Sequence, residues 1–135
     1  EFFSAFADTF PVLHVAVNVL ILAVFALYAS ASVSLGWKSS NLTNRGVVAC
    51  GLYRFVRHPA YVCKNAAWWL SASPALFGAF QTSFTFGCWC LFSLSCWTAI
   101  YALRAITEER HLLRVDTGYA AYRQAVPYRF IPFIL

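Results

Sequence analysis

Two stretches of this chain contain no Asp, Glu, Lys or Arg at all: residues 9–37 and residues 65–103. Runs of that length without charge cannot supply the wetted surface of a soluble domain. Within the first, residues 12–35 are 24 in number. As a helix rising about 1.5 Å per residue they cross a bilayer with some tilt. The second run has 39 residues. As one helix it would reach about 58 Å, nearly twice the hydrocarbon thickness, so it must fold back. Residues 78–83, Gly-Ala-Phe-Gln-Thr-Ser, read as the turn. That divides the run into spans at 61–77 and 84–103, with Pro74 placed to kink the first.

Composition agrees. Hydrophobic residues make up 61% and charged residues 11%, against roughly a quarter charged in ordinary globular chains. With 135 residues the chain is read as a single membrane domain, 1–135. The formal charge of +5 does not indicate nucleic acid, because the basic residues lie between apolar runs, where membrane topology explains them. From Lys38 to Lys64 the charged residues are all basic, and residues 104–135 carry more basic residues. Three spans put both stretches on one side of the membrane, which the positive-inside rule makes cytosolic or its organellar equivalent. The five cysteines are odd in number and three lie in the second apolar run, which argues against a disulfide framework. Met is absent, also at position 1, so Glu1 is not read as a translational start. The expected fold is all-α: an integral membrane helical bundle of about three transmembrane helices with a cytosolic, amphipathic C-terminal helix. Residues 107–113 look helical within it, and Pro127 and Pro132 end regular structure. No heptad pattern stands out.

Polar groups collect at one end of this arrangement. Pro59 suits the first turn of a helix, where its missing N–H costs nothing. That sets Arg57 and His58 at a helix N-terminus, which favours anions. Tyr61 and Asn65 then share a face, as do Lys64 and Trp68. Glu108 and Glu109 follow the last span. Each element also has a plain reading. Arg54 at a membrane boundary is foremost a topology signal, and Tyr and Trp there form an aromatic belt. Arg104 and Glu108 make an i,i+4 pair. Cys88, Cys90 and Cys96 read as helix packing, and no metal is assigned, because no His stands at ligand spacing from them.

The ordered set is more specific than its parts: Arg57-His58-Pro59-x-Tyr61, an apolar hairpin, Glu108-Glu109-Arg110-x-Leu112, Tyr119-x-x-Tyr122-Arg123, Val126-Pro127 and Ile131-Pro132. It resembles the isoprenylcysteine carboxyl methyltransferase superfamily, which includes phospholipid methyltransferases. The strings from His58 to Leu70 and from Tyr128 to Pro132 resemble an uncharacterised bacterial-type subgroup. Cys63 stands where Gly is common in the family, and Val115-Asp116-Thr117-Gly118 replaces its usual acidic run. These departures bear on the acceptor more than on the cofactor.

The resemblance implies S-adenosylmethionine as cofactor, held by His58 and Tyr61 at the start of one span and by Glu108 and Glu109 at the end of the next. The residue types suit that ligand. A helix N-terminus with Arg57 takes a carboxylate, and glutamates accept from ammonium and ribose hydroxyls. Aromatic faces such as Tyr53, Tyr61 and Trp68 suit adenine and sulfonium. Pro59 and Asn65 complete the cofactor set. Arg57 or Arg123 is the candidate anchor for an acidic head group, and Trp68 and Trp69 are candidates for the acceptor's path. Absence of a glycine-rich phosphate loop excludes a Rossmann-type methyltransferase. Three readings stay open: methyl transfer to a membrane lipid, prenyl or other lipophilic acceptor; a non-catalytic subunit of a larger membrane complex; and a haem-binding or isomerase relative using His14 or His58.

Overall fold

The computed structural model describes residues 2–36 and 46–132. Among them every regular element is helical: α1 (Phe2–Thr9), α2 (Pro11–Leu35), a 3-10 turn (Gly51–Arg54), α3 (Pro59–Thr82), α4 (Phe84–Val115) and α5 (Tyr119–Ala125). The first part of the basic stretch, residues 38–45, lies outside the described residues.

α2 and α4 are long and apolar enough to cross a membrane. Almost none of their apolar windows is buried within the protein. The core helix of a soluble domain would be covered; here Val12, Val33 and Phe84 are each more than three-quarters exposed. Burying apolar area is the main favourable term in folding, so such surface is stable only against lipid or other protein.

α2 starts where Pro11 takes the first helical position, as expected for the first span. It packs on α3, and up to Ala31 its less exposed positions are His14, Val17, Ile21, Val24, Tyr28 and Ala31. That alternating spacing of three and four is a helix-packing seam, which an apolar background hides in the sequence. The short α1 was not foreseen. Its Phe6 is buried, with ring contacts to Phe10, His14 and Phe77 at the far end of α3.

The fold-back is tighter than expected. α3 continues through residues 78–82, and Ser83 alone separates it from α4. Gly78 and the polar residues after it are accommodated helically, with the Thr82 hydroxyl donating to the Gly78 carbonyl. At Gly87 a Cβ would fall into the Phe80 ring, so glycine is what lets the two helices meet there. Pro74 does not end α3. Its ring removes the donor for the Leu70 carbonyl, and the Ser73 hydroxyl donates to that carbonyl instead, at 2.7 Å. At its other end α4 runs twelve residues past the uncharged stretch, so Glu108 and Glu109, in the stretch expected to be helical, lie on the same helix as the apolar segment.

Gly51 has φ +58° and opens the 3-10 turn that packs against the end of α2. A Cβ there would strike the Ser34 side chain, so both conformation and space call for glycine. Beyond α4, Tyr119, Tyr122 and Val126 form a small buried cluster with Val47 and Leu112.

Candidate active site at the charged end of the helical hairpin

His58 is the N-cap of α3 and Pro59 its first residue, as the sequence led us to expect. The backbone N–H groups of Arg57 and His58 donate to the Tyr128 and Arg129 carbonyls, at 3.0 and 3.1 Å. The C-terminal segment is thereby laid across the start of α3, and it satisfies donors that a helix start leaves open.

Glu109 is the centre of the cluster, only 2% exposed. One carboxylate oxygen accepts from Arg57 Nε at 2.8 Å and from His58 Nε2 at 3.1 Å. The other accepts from Arg129 at 2.9 Å. Because a carboxylate only accepts, His58 must carry its proton on Nε2 here. Glu109 lies on the part of α4 beyond the apolar segment. Burial alone would push its carboxyl up. The hydrogen bonds from His58, Arg129 and Arg57, with the Arg57 charge, more than offset this and hold it well below the usual carboxylate range.

Arg57 is turned inward. Besides Glu109 it donates to the carbonyls of Val126 and Pro127, at 2.8 and 2.6 Å, and it is 6% exposed. The guanidinium therefore ties α4 and the C-terminal segment to the start of α3; it is not presented to an acceptor as the sequence reading had it. Arg123 is exposed on α5, away from these contacts.

Beside this buried knot is a more open pair. The Tyr61 hydroxyl donates to Glu108 at 2.9 Å, so Glu108 bonds across to α3 in place of the expected pair with Arg104. The His58 ring stacks on Tyr61, 5.5 Å between centroids and 7° between planes. Asn65 donates to the Tyr61 carbonyl, leaving its own side-chain oxygen buried without a partner.

Tyr53 is buried behind the pair, and its carbonyl accepts from the Tyr122 hydroxyl at 2.7 Å. Burial raises the Tyr122 hydroxyl to about 12, keeping it a neutral donor. Lys64 sits over Trp68 and Tyr101, so the predicted shared face is present. Trp69 faces elsewhere: its indole N–H donates to Thr98 on α4 at 2.9 Å. His14, at the opposite end of the bundle, is bonded to Asn18. No metal-ligating group of three side chains occurs among the described residues, and all five cysteines are free.

The structure thus brings together Arg57, His58, Pro59, Tyr61, Glu108 and Glu109 across as many as 52 positions of sequence. The family model for isoprenylcysteine carboxyl methyltransferases matches residues 15–114. The chain belongs to this family. The match takes in α3, α4 up to Arg114 and every one of those six residues, and it ends before Tyr122, Arg123 and Arg129. No curated protein and no solved structure matches the chain. Membership in the isoprenylcysteine carboxyl methyltransferase family, with the two apolar helices, makes this a membrane protein of a methyltransferase family. Arg129 and the Val126 and Pro127 carbonyls are site components that the sequence reading missed. The available signal was Arg129 between Pro127 and Pro132, a basic residue in a stretch constrained from both sides.

Proposed function

We propose that this protein transfers a methyl group from S-adenosylmethionine to a lipophilic or amphipathic acceptor at the membrane face. The observation that carries the reading is the Tyr61–Glu108 pair, half-buried beside the Glu109 knot and inside the segment that the family model covers.

The donor set fits the cofactor. Two guanidinium groups surround one Glu109 carboxylate, so positive charge is left over for a ligand carboxylate. Arg129 Nε is buried without a partner, as is Asn65 Oδ1; one offers a donor, the other an acceptor. When bound, S-adenosylmethionine supplies an electrophilic methyl group. Glu108 accepts from ammonium or ribose hydroxyls. The stacked His58 and Tyr61 rings, with Tyr53 behind, give a flat wall for an aromatic base. Glu109 and Arg57 are positioning residues: they fix His58 and Arg129 and do not touch the ligand. Arg123 is the exposed cation for an acceptor head group. No general base is required where the acceptor is already a carboxylate or thiolate; alignment and exclusion of water suffice.

The hairpin supports a membrane placement with three spans. α3 is joined to α4 through Ser83 and packs beside it. If α4 crosses, α3 returns next to it, which makes α2, α3 and α4 three spans of one domain, with the charged ends cytosolic.

Calorimetric titration of purified protein with S-adenosylmethionine tests this. Glu108→Gln and Tyr61→Phe should weaken binding with thermal stability retained, by about 10- to 150-fold for the loss of a charged hydrogen bond worth about 1.5–3 kcal/mol. Membranes given labelled cofactor should carry label into the organic phase. Unchanged affinity in both variants, or no binding by the folded wild type, rules the reading out.

A further inference from the structure

One face of α3 repeats at helical spacing: Tyr61, Lys64, Trp68, Ala72, Ala75 and Ala79. It faces a matching stripe on α4. Tyr101 touches Tyr61 and Trp68, and Trp97 touches Trp68, at centroid distances of 5.2–5.6 Å. Below these rings the stripe of small residues opens an apolar groove of about 450 Å3, with Ala72, Ala75 and Ala79 on α3 and Phe86, Leu94 and Trp97 on α4. Trp97 belongs to both parts: it stacks edge-on with Trp68 and lines the groove. Lys64 sits directly above, its ammonium 5.4 Å from the Trp68 ring and 5.2 Å from Tyr101. Among the described residues no carboxylate forms an ion pair with it.

We propose that this face binds one anionic membrane lipid, its head group on Lys64 and one acyl chain in the groove beneath. The charge argument selects the head group. Lys64 is held by two ring faces, which attract a cation but leave its donors open. A choline head group brings its own cation toward that ammonium, whereas a net anionic phosphodiester does not. The geometry selects the chain. From Lys64 to Ala79 the helix advances about 22 Å, a continuous path from a charged position near the start of α3 into the apolar hairpin. The volume lies in the range of ligand pockets, and the small side chains on α3 provide the depth. The proposal rests on α3 and α4 being membrane-embedded, and it is independent of methyl transfer.

The test uses the purified chain in vesicles, without S-adenosylmethionine. Tryptophan fluorescence is followed as brominated-chain phosphatidylglycerol or brominated-chain phosphatidylcholine replaces unlabelled phosphatidylcholine. We expect phosphatidylglycerol to occupy the groove about five-fold more readily, the factor equivalent to about 1 kcal/mol for one basic side chain at a membrane surface. Lys64→Gln should abolish the preference, Lys64→Arg should keep it, and Trp89→Phe combined with Trp97→Phe, the two tryptophans that line the groove, should remove most of the lipid-selective quenching. Arg114→Gln, on an exposed turn of α4, should change nothing. Equal quenching by the two lipids overturns the proposal. So does a loss in Arg114→Gln matching that in Lys64→Gln, which would mean general surface attraction, or selective quenching that survives replacement of both Trp89 and Trp97, which would put the chain elsewhere. Lys64→Arg and the double tryptophan replacement keep the outcome readable if Lys64→Gln fails to fold.

Discussion

The α3–α4 hairpin has two ends built on different principles. At the Ser83 end a single non-helical residue reverses the chain, and close packing holds it, with the Phe80 ring lying on Gly87. Between the two helices, the partners there are neighbours in sequence. At the other end the helices are held by Glu109, which binds residues 52, 51 and 20 positions away. Fixing distant segments costs chain entropy, and burying a carboxylate costs solvation. The distant end therefore depends on every partner being present. The near end loses only packing when it is altered. A buried charge cluster at one end and an uncharged turn at the other also fit a membrane hairpin.

Breaking the charged end should have the largest effect. Glu109→Gln leaves the buried Arg57 without its counter-charge, and we expect a loss of about 3–5 kcal/mol, measured by chemical unfolding in detergent. Protease cleavage within 126–132 should rise at the same time, because Arg57 and Arg129 lose what draws that segment in. A loss below 1 kcal/mol would show that the two ends do not differ as described.

The near end should respond less. Gly87→Ala places a methyl group against the Phe80 ring and should cost about 1–3 kcal/mol, by the same measurement. Phe80→Leu in the same chain should recover part of that loss. If it recovers none, the contact is not what limits Gly87.

Midway along the hairpin, Trp69→Phe removes the hydrogen bond to Thr98. An interhelical bond of this kind should contribute about 0.6 kcal/mol, and a double-mutant cycle with Thr98→Val isolates it. An effect larger than that of Gly87→Ala would mean that polar contacts, not packing, dominate the apolar part.

The smallest effect is the acid response of the charged end. Glu109 is held below its unfolded value. Its contribution is thus complete above about pH 4.5 and fades as pH falls through the depressed folded value. Between pH 7 and 5 the stability gap between wild type and Glu109→Gln should stay constant, then begin to narrow below about pH 4. The Gly87→Ala gap should not change over the same range. A Glu109 gap that closes above pH 5 would contradict the lowered carboxyl.

Much of this molecule followed from local sequence. The uncharged runs and the length of a bilayer crossing required long exposed helices and one fold-back, and Pro59 set the start of α3 because its missing N–H is harmless only there. Motif order gathered His58, Tyr61, Glu108 and Glu109 before any coordinates, since each flanks an apolar run whose reversal brings the ends together. Other features depended on partners that no local pattern names. The seam of α2 is invisible in a helix apolar on every side. Residues 78–82 carry turn-like composition yet stay helical, because bonds such as Thr82 to Gly78 satisfy them in place. Arg57 looked like a ligand anchor until the carbonyls of Val126 and Pro127, 69 and 70 residues away, took up its donors. A guanidinium can face inward or outward from the same helix start, and its direction is decided by whether distant acceptors arrive, which only the tertiary fold determines.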